Sequence, residues 1–281
     1  MSRNDHAGRT ITLGYLNFFD LHPAGLIALA GDAGFVSAGI RITGRRPGDP
    51  YHEIVGNGAV VDEIARLARE TGVSISNISS YHLYPDIDLE TLEPVFETMQ
   101  RLGVGTLIVA CYDRETSRFC DFLTEAAALA SSYGVRFAFE FVPFSEAPNV
   151  ASARRILDDV PSPNLGLLLD PLHLARSGGS PDDLRDLDRD RIFMLQLCDA
   201  TARRPQGMDL REEARKARLF PGEGELPLAA FLDAVPSDTE IEIEAPHQAY
   251  ADLAPVEQAR LMRVATAAYL AGLRAGGSGQ P

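Results

Sequence analysis

The chain has 281 residues, of which 45% are hydrophobic and 23% are charged, as expected for a globular protein with a sizeable core. Its formal net charge of −14 argues against nucleic acid or an anionic membrane surface as a partner. The three cysteines form no CxxC pair, and the start of the chain resembles no signal peptide. We therefore expect a cytoplasmic protein that has no disulfide framework and does not associate with membranes.

Short apolar segments rich in β-branched residues alternate with longer amphipathic segments along the chain. The predicted strands are Thr10–Leu16, Ala38–Ile42, Val73–Ile78, Thr106–Ala110, Arg136–Phe141, Leu165–Leu169, Ile192–Leu197 and Glu240–Glu244. Strands that alternate with helices are parallel, because a parallel return needs a crossover of this length.

Eight such units can close as a barrel or lie open as a doubly wound sheet. The segment TLGYLNFFD stands where a dinucleotide-binding fold would have its glycine-rich phosphate loop, so the barrel is favoured. We predict an α/β fold, a single-domain (β/α)8 barrel over residues 1–281. The ordered barrel is expected from about residue 10 to 271, with a flexible tail over 272–281.

Residues typical of helix ends support this division. Asp88 and Ser117 precede the third and fourth predicted helices and are expected to be their N-caps. Three glycines that precede strands are predicted to end helices in the left-handed conformation: Gly72, Gly103 and Gly134.

Polar side chains stand at the C-terminal ends of strands five to eight, where the active-site residues of such barrels lie. They are Glu140, Asp170, Gln196 and Glu244. Acids on neighbouring strand ends cannot all stay ionised in a dry cleft without a cation between them. Three carboxylates and an amide oxygen suit Mg²⁺ or Mn²⁺. The alternative, that each acid is an isolated cap or loop residue, is weakened by their occurrence on four successive strands.

The period of two in a strand adds a further prediction. If Glu140 and Glu244 face the barrel interior, Arg136 and Glu242 do so as well. A buried Glu242 needs a partner, and Arg136 is the candidate. The alternative is that both residues lie near the solvent-exposed bottom of the barrel.

These motifs resemble the xylose isomerase-like TIM-barrel superfamily of sugar isomerases, epimerases and related dehydratases. The resemblance covers essentially the whole chain and is most specific over residues 135–246. It implies that one divalent ion, Mn²⁺ or Mg²⁺ with Co²⁺ as a further candidate, is held by Glu140, Asp170, Gln196 and Glu244. The family usually has a histidine on strand seven, where this chain has Gln196, and it also has a histidine at the position of His173.

At strand seven the sequence is similar to the bacterial 3-dehydroshikimate dehydratases, which have a glutamine in a QL-x-DA segment followed by an arginine and FPG-x-G. Here QLCDA is followed by Arg218 and FPGEG. The third strand, NISSYHLYP, lacks the arginine-containing segment of those dehydratases, and Ala214 stands where a substrate-binding serine is expected. The metal site thus matches that group better than the substrate site does.

Isomerisation, epimerisation and this type of dehydration share a first step, the removal of a proton beside a carbonyl that a metal ion polarises. His173 is the predicted base, because its unperturbed pKa of about 6.5 suits proton exchange at neutral pH. The alternative is a histidine that only orients a metal ligand. The resemblance also implies that Glu140 and Glu244 act as acid and base.

Four further side chains are predicted to contact the substrate: Glu146, Arg218, His82 and Tyr112. The resemblance places Glu146 at a substrate-contacting position of related epimerases, with a plain loop acid as the alternative. Arg218 lies in a loop expected to fold over the barrel mouth, where it would hold a carboxylate or phosphate. Its alternative role is a surface salt bridge with Glu212 or Glu213.

The sequence therefore predicts a metal-dependent isomerase or epimerase of a small polyhydroxylated carbonyl compound. The first alternative is a lyase that dehydrates a β-hydroxy carbonyl such as 3-dehydroshikimate. The second is a non-catalytic barrel that binds a sugar. The resemblance also implies a homo-oligomer, although no segment of the sequence marks an interface.

Overall fold

Eight short and mostly buried strands form the framework of the molecule. A computed structural model of the chain describes residues 9–45 and 51–277, with the side chains of 274–277 excepted. The strands are β1 (Ile11–Leu13), β2 (Ser37–Ile40), β3 (Ser74–Leu83), β4 (Thr106–Cys111), β5 (Arg136–Glu140), β6 (Leu165–Leu169), β7 (Ile192–Leu197) and β8 (Glu240–Ile243). Each strand is parallel to the next, and β8 pairs with β1, so the sheet closes as a barrel. The predicted (β/α)8 fold is confirmed.

Helices alternate with the strands along the chain. Within the described residues they are α1 (Pro23–Ala33), α2 (Gly58–Thr71), α3 (Leu89–Leu102), α4 (Thr116–Ser132), α5 (Val150–Asp159), α6 (Pro171–Arg176), α7 (Leu210–Lys216), α8 (Leu228–Asp233) and α9 (Pro255–Gly277). Consecutive helices from α1 to α5 pack side by side, and α1 also packs against α9.

The third strand differs most from its prediction. It was expected to end at Ile78, whereas β3 continues to Leu83. Its register with β4 shifts between Ile78 and Tyr81, and beyond this irregularity the strand resumes its pairing. The added length brings Ser80 and His82 to the mouth of the barrel.

The predicted helix ends are mostly confirmed. Asp88 is the N-cap residue of α3, and the three predicted glycines have φ values of 68°, 72° and 69°. The prediction for Ser117 is wrong, because α4 begins at Thr116 and its N-cap residue is Glu115. The carboxylate of Asp113 accepts a hydrogen bond from the Glu115 amide, which starts the helix earlier than the sequence suggested.

The C-terminal helix extends into the segment predicted as a flexible tail. Helix α9 continues to Gly277, so the first residues of the segment 272–281 are helical, and residues 278–281 lie outside the described residues. Among the helices of the described ranges, none combines the length and the apolar character needed to cross a membrane.

The barrel interior is filled below the site. Four buried side chains on adjacent strands form a separate cluster there: Ile108, Ala138, Leu168 and Met194. Because side chains alternate along a strand, the next inward-facing positions on the last three of these strands are Glu140, Asp170 and Gln196. An apolar layer therefore forms the floor on which the polar residues stand.

Candidate active site

A cavity of about 580 Å³, open solvent included, lies at the C-terminal ends of the strands. Most of the predicted site residues line it: His82, Tyr112, Glu140, His173, Gln196, Arg218 and Glu244. Asp170 lies directly behind this lining and Glu146 is not part of it. The structure therefore brings together most, but not all, of the side chains expected from the sequence.

Glu140, Asp170 and His173 form a buried cluster in which one ligand atom from each lies within 4.8 Å of the others. His173 Nε2 is 3.4 Å from Glu140 Oε1 and 3.9 Å from Asp170 Oδ2. The other Asp170 oxygen, Oδ1, accepts hydrogen bonds from the backbone amides of Leu172 and His173 and caps α6. This cap fixes both Asp170 and His173 at the start of a short helix.

Arg218 lies between two of the predicted metal ligands. Its Nη1 is 2.5 Å from Asp170 Oδ2, and its Nη2 is 3.2 Å from Glu244 Oε2. The alternative of a surface salt bridge is wrong, because Arg218 is only 1% exposed and Glu213 instead pairs with Arg176. A buried guanidinium between two buried carboxylates offsets their repulsion. Contact of Arg218 with a substrate stays a prediction.

Gln196 lines the cavity, and the two ends of its side-chain amide differ in their hydrogen-bond partners. Its Nε2 donates hydrogen bonds to Glu242 Oε1 at 2.8 Å and to Glu244 Oε1 at 3.2 Å. Its buried Oε1 has no hydrogen-bond partner among the described residues. A buried acceptor without a partner is costly unless a ligand or ion satisfies it.

Glu242 has partners other than the one predicted. Arg136 is exposed at the start of β5 and donates a hydrogen bond to Thr106 Oγ1 at 3.0 Å, so the predicted Arg136–Glu242 pair is wrong. Glu242 is fully buried and accepts a hydrogen bond from Asn77 Nδ2 at 2.6 Å as well as that from Gln196. The pair does not form because Arg136 begins its strand at the solvent-facing rim, whereas Glu242 lies deeper in the barrel.

Burial and mutual repulsion raise the pKa values of three acids. Burial, and then the charges of Glu244 and Asp170, raise the pKa of Glu140 well above its usual value. Burial and the charge of Glu244 raise the pKa of Glu242 to about 8. Burial raises the pKa of Glu244 to about 7, against the opposing effect of Arg218. These carboxyl groups lack enough positive charge nearby to ionise easily.

Asp170 and His173 behave differently. Burial alone would raise the pKa of Asp170, but Arg218 and His173 outweigh it, so this pKa is lowered. Burial lowers the pKa of His173 to about 4, with Asp170 opposing this change and Arg218 adding to it. A neutral imidazole can accept a proton or bind a metal ion.

The donor set fits a divalent cation. Oxygen atoms of Glu140 and Asp170 lie within 4.8 Å of each other, Glu140, Gln196 and Glu244 line the same cavity, and the buried oxygen of Gln196 has no partner among the described residues. Such donors suit Mg²⁺, Mn²⁺ or a similar ion. The raised pKa values of the acids point the same way, since a cation would favour their ionised forms.

An aromatic wall forms the side of the cavity contributed by β3 and β4. The His82 and Tyr112 rings stack with their centroids 4.2 Å apart and their planes 14° apart. Glu146 lies away from this wall, with its Oε1 3.4 Å from Arg114 Nε. Substrate contact by Glu146 therefore stays a prediction without support from the geometry.

Sequence reasoning missed three arginines that line the cavity: Arg45, Arg211 and Arg215. A signal for two of them was present, because Arg211, Arg215 and Arg218 are spaced as residues that share one face of a helix. For Arg45, in the loop after β2, the sequence offered no comparable pattern.

Asp199 holds the FPGEG loop in place. Its carboxylate accepts hydrogen bonds from the backbone amides of Gly222, Gly224 and Leu226 at 3.1, 3.0 and 3.0 Å. The aspartate of QLCDA is therefore an anchor for this loop, which follows Arg218 in the chain.

Comparisons with known proteins agree with this geometry. The sequence model of the xylose isomerase-like TIM barrel family matches residues 27–262. A 3-dehydroshikimate dehydratase of Pseudomonas aeruginosa is 32% identical over 155 residues, which cover 53% of this chain and 24% of that protein. An inosose isomerase of Bacillus subtilis is 34% identical over 117 residues, which cover 41% of this chain and 40% of that protein. The matched regions thus span less than half of either relative.

A solved structure shares the fold over almost its whole length. The crystal structure of the IOLI protein with a bound zinc atom has a TM-score of 0.77 and 21% identity, and the match covers 94% of this chain and 99% of that one.

Proposed function

This chain belongs to the xylose isomerase-like TIM-barrel family, and we propose that it is a divalent-metal-dependent isomerase or epimerase of a small sugar-like carbonyl compound. The observation that carries the proposal is the buried cluster of Glu140, Asp170 and His173 beside the unpartnered oxygen of Gln196. Enzymes among the relatives and a zinc atom in the IOLI structure support the same function.

Glu140, Asp170, Gln196 and Glu244 are the proposed metal ligands, and His173 beside them is the proposed base rather than a further ligand. A divalent ion bound there supplies a Lewis acid that stabilises negative charge on a carbonyl oxygen. Mn²⁺ or Mg²⁺ is the proposed ion, with Co²⁺ as a further candidate.

The protein's own groups handle the proton. His173 is neutral, and its Nε2 lies beside Glu140 with Phe144 packed edge-on against the ring, so it is positioned to accept a proton from a substrate carbon. Glu140 ends β5 and Glu244 follows β8, and these strands are separated by two others in the ring. In the proposed epimerase, the two carboxyl groups act as acid and base on different sides of the substrate.

The proposal is tested by hydrogen exchange in D₂O with the Mn²⁺-loaded protein and a panel of neutral, acidic and phosphorylated keto-sugars, followed by NMR. We expect loss of a carbon-bound proton signal and formation of an isomer. Replacement of His173 by Asn should lower the exchange rate by about 10²–10⁴-fold, the usual contribution of a general base. The proposal fails if the loaded wild-type protein exchanges no proton in any keto-sugar, or if His173→Asn exchanges at the wild-type rate.

A dehydratase is the second candidate function, favoured by Gln196 in QLCDA and by the FPGEG loop that Asp199 anchors. The same protein should then convert 3-dehydroshikimate, with an increase in the ultraviolet absorbance of a catechol acid. Absence of this signal while keto-sugars exchange protons would favour the isomerase. Binding of sugars without any turnover would favour a non-catalytic barrel.

A further inference from the structure

The charges at the cavity mouth are opposite in sign to the charge of the whole protein. The chain carries a formal net charge of −14, yet four arginines line the cavity against two carboxylates. Arg218 is matched by buried acids on both of its terminal nitrogens. The other three, Arg45, Arg211 and Arg215, bring positive charge to the mouth.

Arg45 and Arg211 line the same cavity as the aromatic wall of His82 and Tyr112. Burial, followed by the charges of Arg45, Arg41 and Arg211, lowers the pKa of His82 to about 3. Arg211 and Arg45 also act to lower the pKa of Tyr112, against the larger opposite effect of burial. Because Arg45 and Arg211 also line the cavity that contains these rings, an anion bound there lies in the positive field of both guanidinium groups.

Arg211 is held in position before any ligand arrives. Its Nη2 donates a hydrogen bond to the carbonyl oxygen of Phe144 at 3.1 Å, and its guanidinium lies 4.7 Å from the centre of the Phe144 ring. Phe144 also lines the cavity and packs edge-on against His173. A side chain fixed in this way loses little freedom when it binds an anion.

The cavity thus has two chemically different ends. Glu140, Gln196 and Glu244 stand on the strand ends, whereas Arg45 and Arg211 stand at the mouth, beside the aromatic wall. Guanidinium groups bind carboxylate and phosphate oxygens through paired hydrogen bonds.

We propose that the substrate carries an anionic oxygen group, carboxylate or phosphate, that binds between Arg45 and Arg211 while its carbonyl end faces the acids. This inference rests on the proposed function and names the class of its substrate, an acidic or phosphorylated derivative of a keto-sugar. Neutral sugars lack the group that these arginines recognise.

The test is calorimetric titration of the full-length, Mn²⁺-loaded protein with three probes. D-Fructose is neutral, D-fructose 6-phosphate carries a phosphate, and 5-keto-D-gluconate carries a carboxylate. We expect at least one charged probe to bind about tenfold or more tightly than fructose, with the better of the two distinguishing phosphate from carboxylate recognition. Replacement of Arg45 or Arg211 by Gln should weaken only the charged probe, by about ten- to a hundredfold.

Arg66→Gln is the matched control, because Arg66 pairs with Glu70 on the surface of α2 and lies outside the cavity lining. It should bind all three probes as the wild type does. Equal affinities for neutral and charged probes, or an equal loss for fructose in the Arg45 and Arg211 variants, would overturn the inference. Binding needs no turnover, so a charge preference without proton exchange would disprove the proposed function and leave the anion site standing.

Discussion

The orientation of the Gln196 side-chain amide decides whether its oxygen or its nitrogen is available to a ligand. The two ends of a glutamine amide have the same shape, so the surrounding hydrogen-bond partners fix which end points where. Glu242 and Glu244 both accept from Nε2, and the oxygen is left without a hydrogen-bond partner among the described residues. Gln196 can provide an oxygen ligand to the proposed metal ion because Glu242 accepts a hydrogen bond from its nitrogen and so fixes the orientation of the amide.

Replacing Glu242 with Leu should weaken metal binding although Glu242 is not itself a proposed ligand. The amides of Gln196 and Asn77 would each lose an acceptor, and Gln196 would no longer be held with its oxygen towards the site. We expect the affinity for Mn²⁺, measured by calorimetric titration of folded protein, to fall about tenfold or more. Glu242→Gln keeps an acceptor oxygen and should retain most of the affinity. Wild-type affinity in Glu242→Leu would contradict this positioning role.

The sequence predicted the proposed metal ligands but not the hydrogen-bond partners of Glu242. Glu140, Asp170, Gln196 and Glu244 were identified because polar side chains stand out at the ends of apolar strands. The partners of Glu242 were missed, because strand alternation shows which face a side chain occupies but not which distant residue meets it there.

Strand β2 comes close to the buried acid of β8 through a glycine. A Cβ atom added to Gly39 would lie 2.2 Å from Glu242 Oε2 and 2.8 Å from Asn77 Oδ1. Because Gly39 has no side chain, there is room beside β2 for the hydrogen bonds that join β3, β7 and β8.

Gly39→Ala should therefore destabilise the protein, because both neighbours are fixed by buried hydrogen bonds. We expect the free energy of unfolding in urea to fall by about 1–3 kcal/mol, as for other overpacked cores. Gly25→Ala is the matched control, since a Cβ atom there meets nothing within 4 Å and Gly25 lies in α1. It should be neutral or stabilising by about 0.5–1 kcal/mol. Equal effects of the two substitutions would argue against close packing at Gly39.

Local patterns located some element boundaries, but β1 ends at Leu13 rather than at the predicted Leu16, and β3 differs more. Apolar segments located β6 and β7 to the residue, because each is short and bounded by polar or turn residues. The extension of β3 was missed because NISSYHLYP does not alternate regularly, and its irregular register with β4 depends on pairing that the segment alone does not encode.

The barrel interior contains buried acids whose pKa values are raised, so the stability of the whole molecule should depend on pH. The pKa of Glu242 is about 8 in the folded protein against an ordinary value of 4.5, so the folded state binds the proton more strongly. Stability is therefore highest below the ordinary value and is lost as pH rises towards 8. The lowered pKa of His173, about 4 against 6.5, acts in the opposite direction but only below pH 6.5.

We expect thermal or urea unfolding in the presence of EDTA to show this dependence between pH 6.5 and 8. Glu242 alone should contribute a loss of about 1.5 kcal/mol over this window, and Glu242→Gln should remove that contribution. Millimolar Mn²⁺ should raise the melting temperature more at pH 8 than at pH 6.5, because metal ligands bind in their deprotonated forms. If Glu242→Gln showed the same pH dependence of stability as the wild type, the pKa of Glu242 would not be raised in the folded protein.

The alternation of strands and helices, the barrel that follows from it, and the four strand-end residues of the proposed metal site could be predicted from the amino-acid pattern alone. They follow from local periodicity, which each segment carries within a few residues. Other features needed the folded barrel: Arg218 lies between two acids, Asn77 meets Glu242 from 165 residues away, and arginines from separate loops and helices line one cavity. Such contacts depend on the register and closure of the whole barrel, since residues distant along the chain meet only when all eight strands are in place.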